Sequence, residues 1–210
     1  MSFAVSIATL SLLQAALVAL PRSPLLALPL KGLRSRWWAL VPALSIVVVI
    51  AVIELSSDSA TVLAYLALVT VPPLAALALG ALVRGARPAF ALAAAPLFAL
   101  AWAASGSLVG ETAAAVLTAL GCIGLGWLLV SVAPAHWLKI SIYAMAAIDV
   151  WFVGAHLLQE PSAVLSAAGP SGLPRLQVVE FGAARMGFGD AFLAALVGCL
   201  LAARAECQKS

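Results

Sequence analysis

Two aspartates in this chain sit where a carboxylate is costly. Asp149 lies in Ile148-Asp149-Val150-Trp151-Phe152-Val153, and Asp190 in Met186-Gly187-Phe188-Gly189-Asp190-Ala191-Phe192-Leu193. The other six of the eight acidic residues, Glu54, Asp58, Glu111, Glu160, Glu180 and Glu206, fall in short polar breaks between apolar runs. A carboxylate in hydrocarbon persists only where it faces a partner, a water-filled cavity or a reaction. Two of them facing one another cannot both ionise cheaply, so the pair tends to hold one proton between them. The ionised member can then take a proton from water while the protonated member polarises a carbonyl. The residue types therefore predict hydrolytic acid–base chemistry inside a membrane, with Asp149 and Asp190 as the catalytic pair. No cofactor is called for.

The elements that carry the pair follow from composition. Of 210 residues, 65% are hydrophobic and 9% are charged, and the mean hydropathy is +1.16. A soluble chain of this size needs far more polar surface to cover its core. Apolar runs of about 18 residues or more recur, each long enough to cross roughly 30 Å of hydrocarbon as a helix. A membrane barrel would need alternating polarity, which Ala/Leu blocks such as 89–104 lack. The expected fold is one all-α membrane bundle with no second domain. Its seven spans are expected near 3–20, 38–54, 59–83, 88–105, 111–131, 137–156 and 184–203. A cleaved leader is the rival reading of residues 1–20, but no basic residue precedes that apolar run, which predicts a first span instead.

The basic residues divide unevenly between the two sides of such a bundle. Arg22, Lys31, Arg34, Arg36, Arg84, Arg87, Lys139, Arg204 and Lys209 fall on one side, leaving Arg175 and Arg185 on the other. The excess predicts an integral protein of the cell membrane with its N-terminus outside and its C-terminus in the cytoplasm. Trp37, Trp38 and Trp137 stand beside the basic loops as interfacial anchors. The net charge of +3 then needs no nucleic-acid partner; the expected partners are the lipid bilayer and a transmembrane peptide. Cys122, Cys199 and Cys207 show no paired spacing, so small buried thiols are expected rather than a disulfide frame or a metal site. Pro72, Pro73 and Pro96 are expected to kink their helices.

Depth links the two aspartates. Asp149 lies about eight residues before the outer end of the sixth span and Asp190 about six after the start of the seventh, or roughly 12 and 9 Å. Consecutive spans run antiparallel, so both carboxyls are expected at similar depth on the same side. Gly187 and Gly189 remove side chains beside Asp190, leaving room for a neighbouring helix or an extended substrate backbone. The segment 157–185 between the two spans is broken by Glu160-Pro161, Gly169-Pro170 and Gly172-Leu173-Pro174. Within it, Leu176-Gln177-Val178-Val179-Glu180-Phe181 is β-prone. A strand there could hold an unwound substrate by β-augmentation; an ordinary loop packed through Val178 and Val179 is the competing expectation. His156 and Arg185 flank the pair and are expected at the interface.

Gly187-Phe188-Gly189-Asp190 resembles the GxGD signature of the presenilin and signal peptide peptidase family of intramembrane aspartyl proteases. Ile148-Asp149-Val150-Trp151-Phe152-Val153 is similar to that family's sixth-helix motif, and the order of the two aspartates matches. The likeness covers about residues 143–200. It implies a membrane-embedded endopeptidase acting on transmembrane or signal-peptide segments, with the sidedness of signal peptide peptidase. Ile148 replaces the family's Tyr, although Tyr143 lies in the same helix. The family's ninth helix carries a Pro-Ala-Leu motif that packs on the aspartates, and this chain stops after its seventh span. Pro42-Ala43-Leu44 lies in the second span, near the basic end and away from the aspartates. The resemblance thus leaves three options: the motif is dispensable, a partner subunit or another copy supplies it, or the chain does not cleave. Prepilin peptidases also use GxGD with a second aspartate, but a Lys follows there and none follows Asp190. A proton- or cation-coupled transporter using two carboxylates is the remaining alternative.

Overall fold

The computed structural model describes residues 3–22, 35–42, 44–45, 47–48, 58–154 and 172–207. His156, the greater part of the 157–185 segment and Ala43 of Pro42-Ala43-Leu44 lie outside them. The described chain is mostly helical. Helix α1 spans Phe3–Ala19, α2 Asp58–Leu77, α3 Ala94–Ala103, α4 Leu108–Val132, α5 Ala135–Gly154 and α6 Phe188–Cys207. Short 3₁₀ turns cover Arg36–Leu40 and Pro88–Ala93, and α2 runs on into a π turn at Ala78–Leu82. Among the described residues, three helices are long and apolar enough to cross a membrane: Ala60–Leu82, Leu108–Val132 and Phe188–Ala205.

Helix α4 is the hub. Ser107 caps its N-terminus, accepting the Gly110 N–H at 3.2 Å, and α4 packs against α2, α3 and α6. Close approach depends on small residues, as expected where lipid supplies no drive for helices to associate. A Cβ at Gly124 would lie 2.6 Å from the Leu74 carbonyl oxygen, and one at Gly198 of α6 would lie 2.6 Å from that of Leu17 in α1. Cys122 and Cys199 are free buried thiols, and the Cys199 Sγ lies 3.7 Å from the Ile123 carbonyl oxygen. Pro72 and Pro73 lie inside α2. Pro96 is the third residue of α3, which continues directly from the 3₁₀ turn at Pro88–Ala93.

The ends of the bundle have opposite character. At one, Arg22 N–H donates to the Leu82 carbonyl (2.8 Å) and Arg84 N–H to that of Leu20 (3.0 Å), bridging Pro21 and Val83. Ser35 N–H donates to the Val132 carbonyl there (2.9 Å). Arg22, Arg36, Arg84 and Arg87 collect at this end with the exposed Trp37, Trp38 and Trp137. The opposite end carries Glu111, Arg175, Glu180 and Arg185 around a β-hairpin.

That hairpin is the main departure from an all-helical expectation. Strand β1 (Val178–Phe181) pairs antiparallel with β2 (Ala184–Gly187) in the register Val178↔Gly187, Val179↔Met186, Glu180↔Arg185 and Phe181↔Ala184. Gly182, at φ +59, opens the two-residue loop, as primed hairpin turns require. Val179, Ala184 and Met186 point inward, whereas Arg185 and Gly187 are exposed. Helix α6 therefore begins at Phe188 rather than at the expected 184, because 184–187 pair with β1 as a strand. Asp190 is its third residue, only about 3 Å along the axis from its start, shallower than the sequence predicts.

Candidate active site

Asp149 continues the inward stripe of α5. Leu138, Ser141 and Met145 are buried at helical spacing, and Asp149 follows Met145 by four residues, on the same face. It is nevertheless exposed; among the described elements, α5 packs chiefly on the Arg36–Leu40 turn. Tyr143 projects elsewhere and is 77% exposed, so it does not replace the Tyr that the family places before its first aspartate.

Asp190 is positioned by the hairpin. In a hairpin with a two-residue loop the pairs alternate, so Phe181↔Ala184 and Val179↔Met186 exchange backbone hydrogen bonds and the other two pairs do not. The backbone groups of Val178 and Glu180 then point off the outer edge of β1, and those of Arg185 and Gly187 off the outer edge of β2. The Gly187 N–H on that edge donates to the Asp190 carboxylate, whose Oδ2 lies 3.5 Å from where a Gly187 Cβ would stand. A carboxylate at the third helical position reaching back to the cap N–H is half of a capping box. Asp190 therefore both closes the N-terminus of α6 and sits at the end of an open strand edge. A Cβ at Gly189 would meet nothing within 4 Å. Among the described residues, Gly189 thus meets no neighbouring helix, which was one of the two expected roles.

Asp149 lies within electrostatic range of Asp190, and both residues are exposed.

The hairpin is held by residues that sequence reasoning passed over. Glu111 Oε2 accepts the Gly182 N–H at 2.8 Å, Ser6 Oγ accepts the Ala183 N–H at 3.3 Å, and the Thr118 hydroxyl donates to the Leu176 carbonyl at 3.3 Å. Glu180 Oε1 lies 3.0 Å from Arg185 Nε and 3.8 Å from Arg175 Nη1. Arg185 is thus an ion-pair partner on the hairpin. Gln177 is 5% exposed, and both atoms of its amide lack a partner among the described residues.

A separate cavity of about 420 Å³ opens between the α3–α4 turn and the loop before β1, lined by Ser105, Glu111, Pro174, Arg175 and Glu180 among others. It lies on the β1 side of the hairpin, away from the aspartates. No group of three or more His, Cys, Asp or Glu residues suited to a metal occurs among the described residues. No family model, curated protein or solved structure matches the chain.

Proposed function

We propose that the chain is an intramembrane aspartic endopeptidase in which Asp149 and Asp190 form the catalytic pair. The observation that carries this reading is that two carboxyls set in apolar helices, 41 positions apart in sequence, lie within electrostatic range of one another and are both exposed. The resemblance of 148–153 and 187–190 to the GxGD proteases points the same way.

In this mechanism the ionised aspartate takes a proton from water, and the oxygen attacks the peptide carbonyl carbon. The protonated partner gives its proton to the carbonyl oxygen, forming a neutral tetrahedral diol. Collapse of the diol breaks the C–N bond, with proton transfer to the leaving amine. A transmembrane substrate must first unwind, because helical carbonyls are shielded and hydrogen-bonded. The outer edge of β2, with the free backbone groups of Arg185 leading to Asp190, is the place for the unwound segment to add as a strand. The 176–180 stretch then supports that strand from behind. In a membrane the basic end faces the cytoplasm by the positive-inside rule, which places the hairpin and aspartates at the outer side. Asn at either aspartate should stop cleavage of a membrane-embedded reporter; a variant that still cleaves removes that aspartate from the mechanism.

A further inference from the structure

The outer face of β2 carries one cation directly beside the proposed cleavage site. Arg185 and Gly187 point to the same side of the strand, and the Arg185 side chain is 60% exposed. Glu180 faces two guanidiniums, Arg185 and Arg175, with a single carboxylate. Glu111, the other described glutamate at this end, is turned to the Gly182 N–H at the hairpin tip. Glu180 engages Arg185 through Nε, and a guanidinium has five donors in a planar fork. A second carboxylate can therefore be bound on the exposed side of the fork.

The spacing of the strand fixes where such a carboxylate would come from. Residues repeat every ~3.3 Å along a strand, so Arg185 lies about 7 Å along β2 from Gly187, whose N–H holds Asp190. A substrate segment added to this edge places one side chain opposite Arg185, with Cβ atoms about 5.5 Å apart or less. The peptide bond presented to Asp190 is then about two residues further along. We propose that Arg185 selects substrates bearing an acidic residue about two positions from the scissile bond, on its hairpin side. The inference rests on the protease reading and adds to it the substrate class. A transmembrane segment with Asp or Glu at its outer boundary fits, since a carboxylate there remains near water while its neighbours enter hydrocarbon.

The test uses purified full-length protein in lipid and single-span peptide reporters. Asp, Asn or Lys is placed in turn at each of the positions flanking the mapped cleavage site. For the wild type, Asp at the second position on the hairpin side should raise kcat/KM about ten-fold over Asn, with Lys worse than Asn. Arg185→Glu should invert the order so that Lys exceeds Asp, and Arg185→Lys should keep Asp first. The ratio between reporters is read within each variant, so loss of folded protein cancels. Asp149→Asn and Asp190→Asn serve as controls. If both abolish cleavage while the Asp-to-Lys ratio is unchanged by Arg185→Glu, the selectivity proposal is overturned and the protease reading stands. If the wild type cleaves no reporter, or cleaves independently of both aspartates, the protease reading fails and the selectivity proposal falls with it.

Discussion

Gly187 donates its backbone N–H to the carboxylate of Asp190, three residues further along the chain. One bond joins the last residue of β2 to the first turn of α6, so the strand edge and the reactive carboxyl are set in a fixed relation. The same bond gives Asp190 a structural duty that its position in an apolar run does not predict. Charge and capping can be separated by substitution, because an Asn side-chain oxygen can still accept the Gly187 N–H.

Asp190→Asn should accordingly retain near wild-type stability, while Asp190→Ala should lose about 1 kcal/mol through the missing cap. Unfolding of both variants in detergent, followed by circular dichroism, checks this. Equal stability of the two would mean that the Gly187 bond contributes nothing.

Strand addition at β2 predicts an asymmetry between two neighbouring prolines. Val179 exchanges ladder hydrogen bonds with Met186, so Val179→Pro breaks the hairpin. Val178 directs its N–H off the opposite edge, where proline is tolerated. Val178→Pro should therefore reduce reporter cleavage far less than Val179→Pro. The reverse order would place the substrate on β1.

The expectations met the structure unevenly, and the reason lies in the length of each signal. The apolar runs are long, and the helices found at 3–19, 58–77, 108–132 and 135–154 fall where the composition puts them. The aspartates stand out in the sequence because a carboxylate among Val, Trp and Phe is costly in hydrocarbon, and the structure leaves both exposed. The hairpin was half legible: Val178–Phe181 reads as β-prone, but Ala184-Arg185-Met186-Gly187 is too short and mixed to be told from the start of an apolar helix. Ser6, Glu111 and Thr118 gave no local sign of their role. They lie 177, 71 and 58 positions from the backbone groups they hold, and only the fold brings them there.

Gln177 leads to a prediction of opposite sign to most core substitutions. Its amide is buried without a partner among the described residues, and an unpartnered buried polar group costs about 1–3 kcal/mol. Gln177→Leu should raise stability in detergent by about 1 kcal/mol. A fall instead would show that the amide is satisfied in the membrane-embedded protein.

Gly198 tests the packing of the helix that carries Asp190. A Cβ there would stand 2.6–2.9 Å from backbone atoms of Leu17 and Val18, which cannot move as a flexible side chain could. Gly198→Val should cost about 1–3 kcal/mol and weaken the hold of α1 on α6. Unfolding at wild-type denaturant concentration would contradict that contact.

The most direct test of the central claim is the pH dependence of cleavage of one membrane-embedded reporter by the wild type, Asp149→Asn and Asp190→Asn, all reconstituted in the same lipid. A pair that works with one proton predicts a bell-shaped wild-type profile, falling on the acid side as both carboxyls protonate and on the basic side as both ionise. Both Asn variants should be inactive across the whole range while remaining folded. Cleavage by either variant, or a wild-type profile without an acid limb, would contradict the account.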